Sequence, residues 1–269
     1  MSVFITVIIC VLSLYVLSLR GRTGHPGMEK LRSWNYAHRG LHGAGVPENS
    51  LSAFRKALER GYGVEFDVHL LSDGNLAVIH DYSLKRTTGA DISVESLTTQ
   101  QLADYQLMDS DEPIPTLSQV LTLFNGKAPL IIELKTAGEN YAALCSTVFN
   151  ALEGYTGDFC IESFDPRCIV WLKKNRPDII RGQLSENFFA SKTCTVNFGL
   201  KCVMSWMLGN FVSRPDFIAY KYCDRKNLGV WLCRKLWRIQ GVSWTLQSAQ
   251  EYDTAIKDGW IPIFENFEP

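Results

Sequence analysis

Gly63-Val64-Glu65-Phe66-Asp67-Val68-His69, then Leu70-Leu71-Ser72-Asp73-Gly74-Asn75, then Leu76-Ala77-Val78-Ile79-His80, is the stretch on which the fold turns. Asp-Gly between two β-rich runs predicts a hairpin closed by a two-residue type I′ turn. Centring that turn between residues 73 and 74 sets Asp67 opposite His80, with their side chains on one face. Glu65 shares the face, two residues along the strand. Local geometry alone therefore gathers two carboxylates and an imidazole. It also attaches an antiparallel ribbon to whatever sheet the first run joins.

Working outward, short apolar runs alternate with helical patterns from about residue 34 onward. Strands are expected at Trp34–His38, Gly63–His69, Leu130–Leu134, Phe159–Ser163, Ile179–Leu184, Asp216–Tyr220, Gly241–Leu246 and Trp260–Glu265. Helical periodicity marks Leu51–Glu59, Ala142–Leu152, Arg167–Lys174 and Ala249–Lys257. Strands with crossover helices in a chain of this size predict an α/β fold, a (β/α)8 TIM barrel with an antiparallel hairpin insertion. A doubly wound sheet is the competing architecture, but no G-x-G-x-x-G follows the first strand. The sequence ends at Pro269 directly after the last strand, so Met28–Arg32 is expected to cover that side of the barrel.

Composition bounds the rest. The 269 residues are 46% hydrophobic, enough to bury a sizeable core. Lys and Arg number 27 against 28 Asp and Glu, a balance that does not fit a nucleic-acid partner. The eight cysteines contain no C-x-x-C pair, which argues against a zinc site. With Cys10 in an apolar run, seven remain, and they fit a reduced domain better than a disulfide scaffold. Residues 1–19 carry no charge and would span roughly 28 Å as a helix. Arg20, Arg22, Lys30 and Arg32 follow, so the positive-inside rule sets the C-terminal side in the cytoplasm. The expected layout is a transmembrane anchor at 1–20, a linker at 21–33 and a folded domain at 34–269. That is a single-pass protein of the cell membrane, with its domain on the cytoplasmic face. The apolar stretch Phe188–Phe211 reads as an outer barrel helix, or as a surface resting on the bilayer.

The ordered set His38-Arg39-Gly40, Pro47-Glu48-Asn49-Ser50, Glu65-Phe66-Asp67-Val68, Asp73-Gly74, His80-Asp81 and Glu133-Leu134-Lys135 resembles the glycerophosphodiester phosphodiesterase family. This is a (β/α)8 group of the phospholipase-C-like phosphodiesterases, and the resemblance runs over about residues 34–269. Later echoes are Ser163-Phe164 and Trp244-Thr245. It implies that His38 and His80 are the catalytic acid and base, chemistry suited to imidazoles near neutral pH. Glu65, Asp67 and Glu133 are three carboxylates that would repel one another without a cation. Oxygen-only ligands suit Mg²⁺ or Ca²⁺, and the family's metal triad falls on these same positions. The resemblance makes Arg39 and Lys135 phosphate contacts; either could instead neutralise a neighbouring carboxylate. Asn49 is either a helix N-cap or a substrate contact, and Trp244 either walls the headgroup pocket or belongs to the core. His42 reads as a loop residue and His69 as outside the site. Leu246-Gln247 and Phe264-Glu265-Asn266 depart from the family pattern at the barrel's C-terminal edge.

The activity so implied is metal-dependent hydrolysis of a small-molecule glycerophosphodiester to sn-glycerol 3-phosphate and an alcohol. Removal of a lysophospholipid headgroup is the nearer alternative. A barrel that binds diesters or lipid headgroups without turnover is the more distant one.

Overall fold

The computed structural model describes residues 2–190 and 196–269. Its strands are β1 (Tyr36–His38), β2 (Gly63–Leu70), β3 (Leu76–Val78), β4 (Leu130–Leu134) and β5 (Phe159–Ser163). They continue with β6 (Arg181–Ser185), β7 (Phe217–Lys221), β8 (Gln240–Leu246) and β9 (Trp260–Phe264). Neighbours run β1-β9-β8-β7-β6-β5-β4-β2, all parallel, and β1 also pairs with β2, so the sheet closes on itself. The ninth strand, β3, lies antiparallel on β2. The result is the expected barrel with a hairpin attached.

Strand alternation explains why these apolar runs are nearly continuous. Val64, Phe66 and Val68 of β2, and Leu130, Ile132 and Leu134 of β4, face the surrounding helices in one large core. There Phe54 packs on Phe66 and Phe124 at centroid distances of 5.5 and 6.1 Å. Tyr36, Ile131, Cys160, Phe217, Val242 and Ile263 fill the barrel's interior as a second core. Strands buried on both faces read as solid apolar runs, and each full burial contributes about 1.5–3 kcal/mol. The inward positions that are not apolar, Glu65, Asp67, Glu133 and Glu162, sit higher on the same strands. Register aligns His38 with Glu65, Asp67 with Glu133, and Glu133 with Glu162, so the polar residues form one layer.

The hairpin departs from its expected register. Val68 pairs with Val78 and Leu70 with Leu76, one residue away from the pairing a two-residue turn would impose. The loop is longer because Leu71 turns inward to a small separate core with Ile79, Leu84, Val94 and Leu107. Asp73 accepts from the backbone N–H groups of Asn75 and Thr99, tying the tip to the inserted segment rather than closing a tight turn. Ile79, not His80, stands beside Asp67, donating its N–H to the Asp67 carbonyl at 3.1 Å.

The N-terminal helix, Ser2–Ser18, is also shorter than the expected anchor. Among the described residues no helix is long and apolar enough to cross a membrane. Its 17 residues rise only about 26 Å, and the last turn belongs to the domain. Trp237 Nε1 donates to the Val16 carbonyl at 2.8 Å, and Leu19 is fully buried. Residues 21–33, expected as a linker, close the lower end of the barrel. Arg22 grips both oxygens of Asp216 at 2.5 Å and the Ile179 carbonyl at 2.9 Å. Helix Met28–Arg32 buries Met28 and Leu31 in the interior core, plugging the strand N-termini rather than covering a side. The side by β9 is covered by Tyr62 and Phe267, which pack on Phe264. The stretch Phe188–Phe211 is not one helix; residues 191–195 lie outside the described residues, and Phe198–Ser205 and the start of Asn210–Ser213 follow. The seven described cysteines are unpaired.

Candidate active site

The polar layer opens at the C-terminal ends of the strands, where β1 delivers His38 and β2 and β4 deliver the carboxylates. Oxygens of Glu65, Asp67 and Glu133 approach within 4.8 Å of one another, and all three residues are buried. Lys135, directly after β4, lies 2.7 Å from Glu133 Oε1 and 3.0 Å from Asp67 Oδ1. Asn49 Nδ2 donates to Asp67 Oδ2 at 3.0 Å, and Arg39 Nε stands 3.6 Å from the same oxygen. Asn49 is therefore no helix cap; Ser50 fills that role by accepting from the Ala53 N–H.

Electrostatics separate the carboxylates. Burial opposes ionisation of Asp67, but Lys135, His80, Arg39 and Asn49 outweigh it and hold its pKa well below the usual range. Glu65 is driven well above that range by burial, then by Asp67 and Glu133. Burial carries Glu133 up to about 7 against the pull of Lys135. Glu162, beside Glu133 in register, is raised well above the usual range by burial and by Glu133, and its Oε2 has no hydrogen-bond partner. The surplus of acid over base in a closed space, with every donor an oxygen, fits a hard divalent cation at Glu65, Asp67 and Glu133.

Both sequence-predicted imidazoles are at this rim, and each is held from behind. His38 Nδ1 donates to Glu265 Oε2 at 2.8 Å, while its Nε2 lies 3.8 Å from Glu65 Oε2. His80 Nδ1 donates to Asp81 Oδ1 at 2.6 Å. Burial pushes the His80 pKa down to about 4 despite the pull of Asp67, so the ring is neutral at neutral pH. Buried His69 connects the inserted segment to this site. Its Nδ1 meets Glu95 Oε1 at 2.7 Å and its Nε2 donates to the His80 carbonyl at 3.2 Å.

Several residues escaped the sequence reading. Arg86 bridges the carboxylates of Glu48 and Asp81, at 2.6 Å to Glu48 Oε1 and 2.7 Å to Asp81 Oδ2. Glu48 also takes Arg39 Nη1 at 2.9 Å, so the Arg39 guanidinium is engaged between Glu48 and Asp67. His42 is a loop residue, as expected, but it stands 3.6 Å from Glu265, and His38, His42 and Glu265 form a second close group. The departure Phe264-Glu265-Asn266 was visible in sequence as an irregularity at the strand end. Only the barrel's closure of β9 on β1 brings Glu265 to His38. Trp244 lines the opposite wall, edge-on to Phe164 at 5.7 Å, with Lys221 5.9 Å from its ring. Lys135 Nζ lies 6.0 Å from the Phe164 ring.

A (β/α)8 barrel with two braced imidazoles beside converging carboxylates is equipped for acid–base chemistry next to a cation. Residues 38–214 match the glycerophosphoryl diester phosphodiesterase family, and the chain belongs to it. It is 34% identical over 160 residues to a glycerophosphodiester phosphodiesterase of Caldanaerobacter subterraneus subsp. tengcongensis, a match covering 56% of this chain and 65% of that protein. The chain thus spans just under two thirds of that relative's length. Glycerophosphodiester phosphodiesterase 1 of Mus musculus is 25% identical over 261 residues, covering 84% of this chain and 76% of that protein. In fold the chain is similar to a phosphodiesterase of Oleispira antarctica solved with its product sn-glycerol-3-phosphate. That likeness has a TM-score of 0.73 at 20% identity and covers 91% of this chain and 95% of that one.

Proposed function

We propose that this protein hydrolyses glycerophosphodiesters to sn-glycerol 3-phosphate and an alcohol. The observation that carries the reading is the pair of imidazoles, each braced at Nδ1 by a carboxylate, beside Glu65, Asp67 and Glu133. With Nδ1 protonated and held, the Nε2 atoms are the groups left to take a proton from an attacking hydroxyl and return one to the departing alkoxide. Lys135 and Arg39 supply positive charge for phosphate oxygens. Trp244 and Phe164 form an apolar wall for the alcohol. Glu65, Asp67 and Glu133 would hold a divalent cation, Mg²⁺ or Ca²⁺, which supplies charge stabilisation for the phosphate when bound. The test is a panel of glycerophosphodiesters and lysophospholipids assayed with and without chelator. Release of sn-glycerol 3-phosphate that stops in excess EDTA is expected; no turnover of any member would overturn the reading.

Headgroup removal from a lysophospholipid is the second reading, favoured by a narrow apolar groove beside Phe164. Leu184, Leu200, Val203 and Met207 line it, next to the aromatic wall. Arg20, Arg22, Lys30 and Arg32 after the apolar segment, together with unpaired cysteines, support a position at the cytoplasmic face of a membrane.

Glu265 acts in this scheme as a positioning residue that sets the His38 tautomer. Glu265→Gln should lower kcat by about tenfold or more with KM little changed. Glu265→Asp should recover part of the loss. A Gln variant with wild-type kcat would make the pairing idle.

A further inference from the structure

The N-terminal helix and the surface at its root expose large apolar side chains. Every large apolar side chain from Val3 to Leu14 is 41–78% exposed, and residues 2–19 contain no charge on any side. A helix that is apolar all round is stable only where every face is covered, in a core or in lipid. The root is fixed in one place. Beyond the Trp237–Val16 bond, Asn210 Nδ2 donates to the Leu19 carbonyl at 3.3 Å, and the Tyr15 hydroxyl lies against Gly229 next to the Trp206 carbonyl.

The same face carries most of the other exposed apolar side chains. Phe198 and Trp206 flank Phe189 at 5.6 and 6.3 Å, and Phe211, Leu228 and Trp231 are each more than half exposed. The segment that supplies most of these side chains is also basic: residues 198–238 hold eight Lys and Arg against two Asp, in a chain whose formal charge is -1. Arg225, Lys226, Arg234 and Lys235, against one carboxylate at Asp258, line a groove of about 440 Å³ with Leu228 and Trp231.

We infer that this face docks onto a phospholipid leaflet containing anionic lipids, with the N-terminal helix inserted into it. The free segment 2–14 measures about 20 Å. That is enough to cross the ~15 Å of one hydrocarbon leaflet. Insertion into a leaflet covers all sides of the helix, which a protein groove would not. The exposed tryptophans would sit at headgroup depth, and the basic groove would meet anionic headgroups. The groove beside Phe164 shares Leu200 and Val203 with this face, so the catalytic mouth opens near the lipid.

The inference rests on the proposal that the chain works at a membrane, and its test reads binding rather than turnover. Full-length protein is floated with vesicles of phosphatidylcholine alone and of an equal mixture with phosphatidylglycerol. Tighter binding to the mixture is expected. Leu228→Glu with Trp231→Glu, and separately Lys226→Glu with Lys235→Glu, should each weaken binding to the mixture by about tenfold or more. Hydrolysis of glycerophosphocholine in solution should be unchanged in both. Binding by both variants at the wild-type level would overturn the inference, as would a chain that ignores vesicles and sediments as an oligomer of itself. Vesicle binding without turnover of any diester would sink the catalytic reading alone.

Discussion

His38→Ala and His80→Ala will each lower the rate of glycerophosphodiester hydrolysis by about 10² to 10⁴-fold, the usual loss for a positioned acid or base. Neither change should unfold the barrel. His38 is at the end of β1 with its ring in the site mouth, and His80 is a third exposed. The two imidazoles serve successive proton transfers in one reaction, so the double variant should be little slower than the worse single one. The carboxylates behind them lose their partners differently. Without His80, Asp81 keeps Arg86, at 2.7 Å from its Oδ2. Without His38, Glu265 keeps His42, at 3.6 Å, and the weaker pull of Arg39. A modest loss of stability, read as a lower thermal midpoint, is therefore expected for His38→Ala and not for His80→Ala. Strictly additive rate losses, or either single variant near wild type, would break the paired roles.

How much of this was legible beforehand follows from what each residue packs against. Strands buried on both faces announce themselves, so β4 and β5 have the bounds read from sequence. The layer of Glu65, Asp67 and Glu133 was legible for the same reason, since a charge in such a run must face a polar interior. The hairpin register was not. It depends on Leu71 finding a core made by residues up to 43 positions later, such as Ile114, and local turn chemistry says nothing of that. Met28 and Leu31 looked like part of a linker because five residues are too few to show a periodicity. Glu265, Arg86 and His42 became site residues only through barrel closure and the inserted segment. The apolar N-terminus was legible as apolar. Its length as a free helix was set by Trp237 and Asn210, more than 190 residues away.

Removing the charge of Glu133 should do more damage than its size suggests. Glu133→Gln keeps the shape and one oxygen, yet leaves Glu65 and Asp67 as the only anionic ligands for a cation that favours six or more oxygens. Binding of Mg²⁺ or Ca²⁺, followed by calorimetry, should weaken by about 10²-fold or more, and turnover should fall with it. Lys135 would then have Asp67, at 3.0 Å, as its remaining carboxylate partner. A linked effect is readable without turnover. Burial raises Glu133 from 4.5 to about 7, so the folded state binds a proton there that the unfolded chain has released. Stability of the cation-free protein therefore falls as pH rises from about 4.5 towards 7. A bound cation opposes that loss, because it takes the charge that burial penalises. Added Mg²⁺ or Ca²⁺ should thus raise the thermal midpoint more at pH above 7 than below 5, and Glu133→Gln should flatten the difference. Full activity of the wild-type protein in excess EDTA, or a midpoint that no divalent cation moves at either pH, would remove the cation from this site and leave its neutralisation to Lys135 and Arg39.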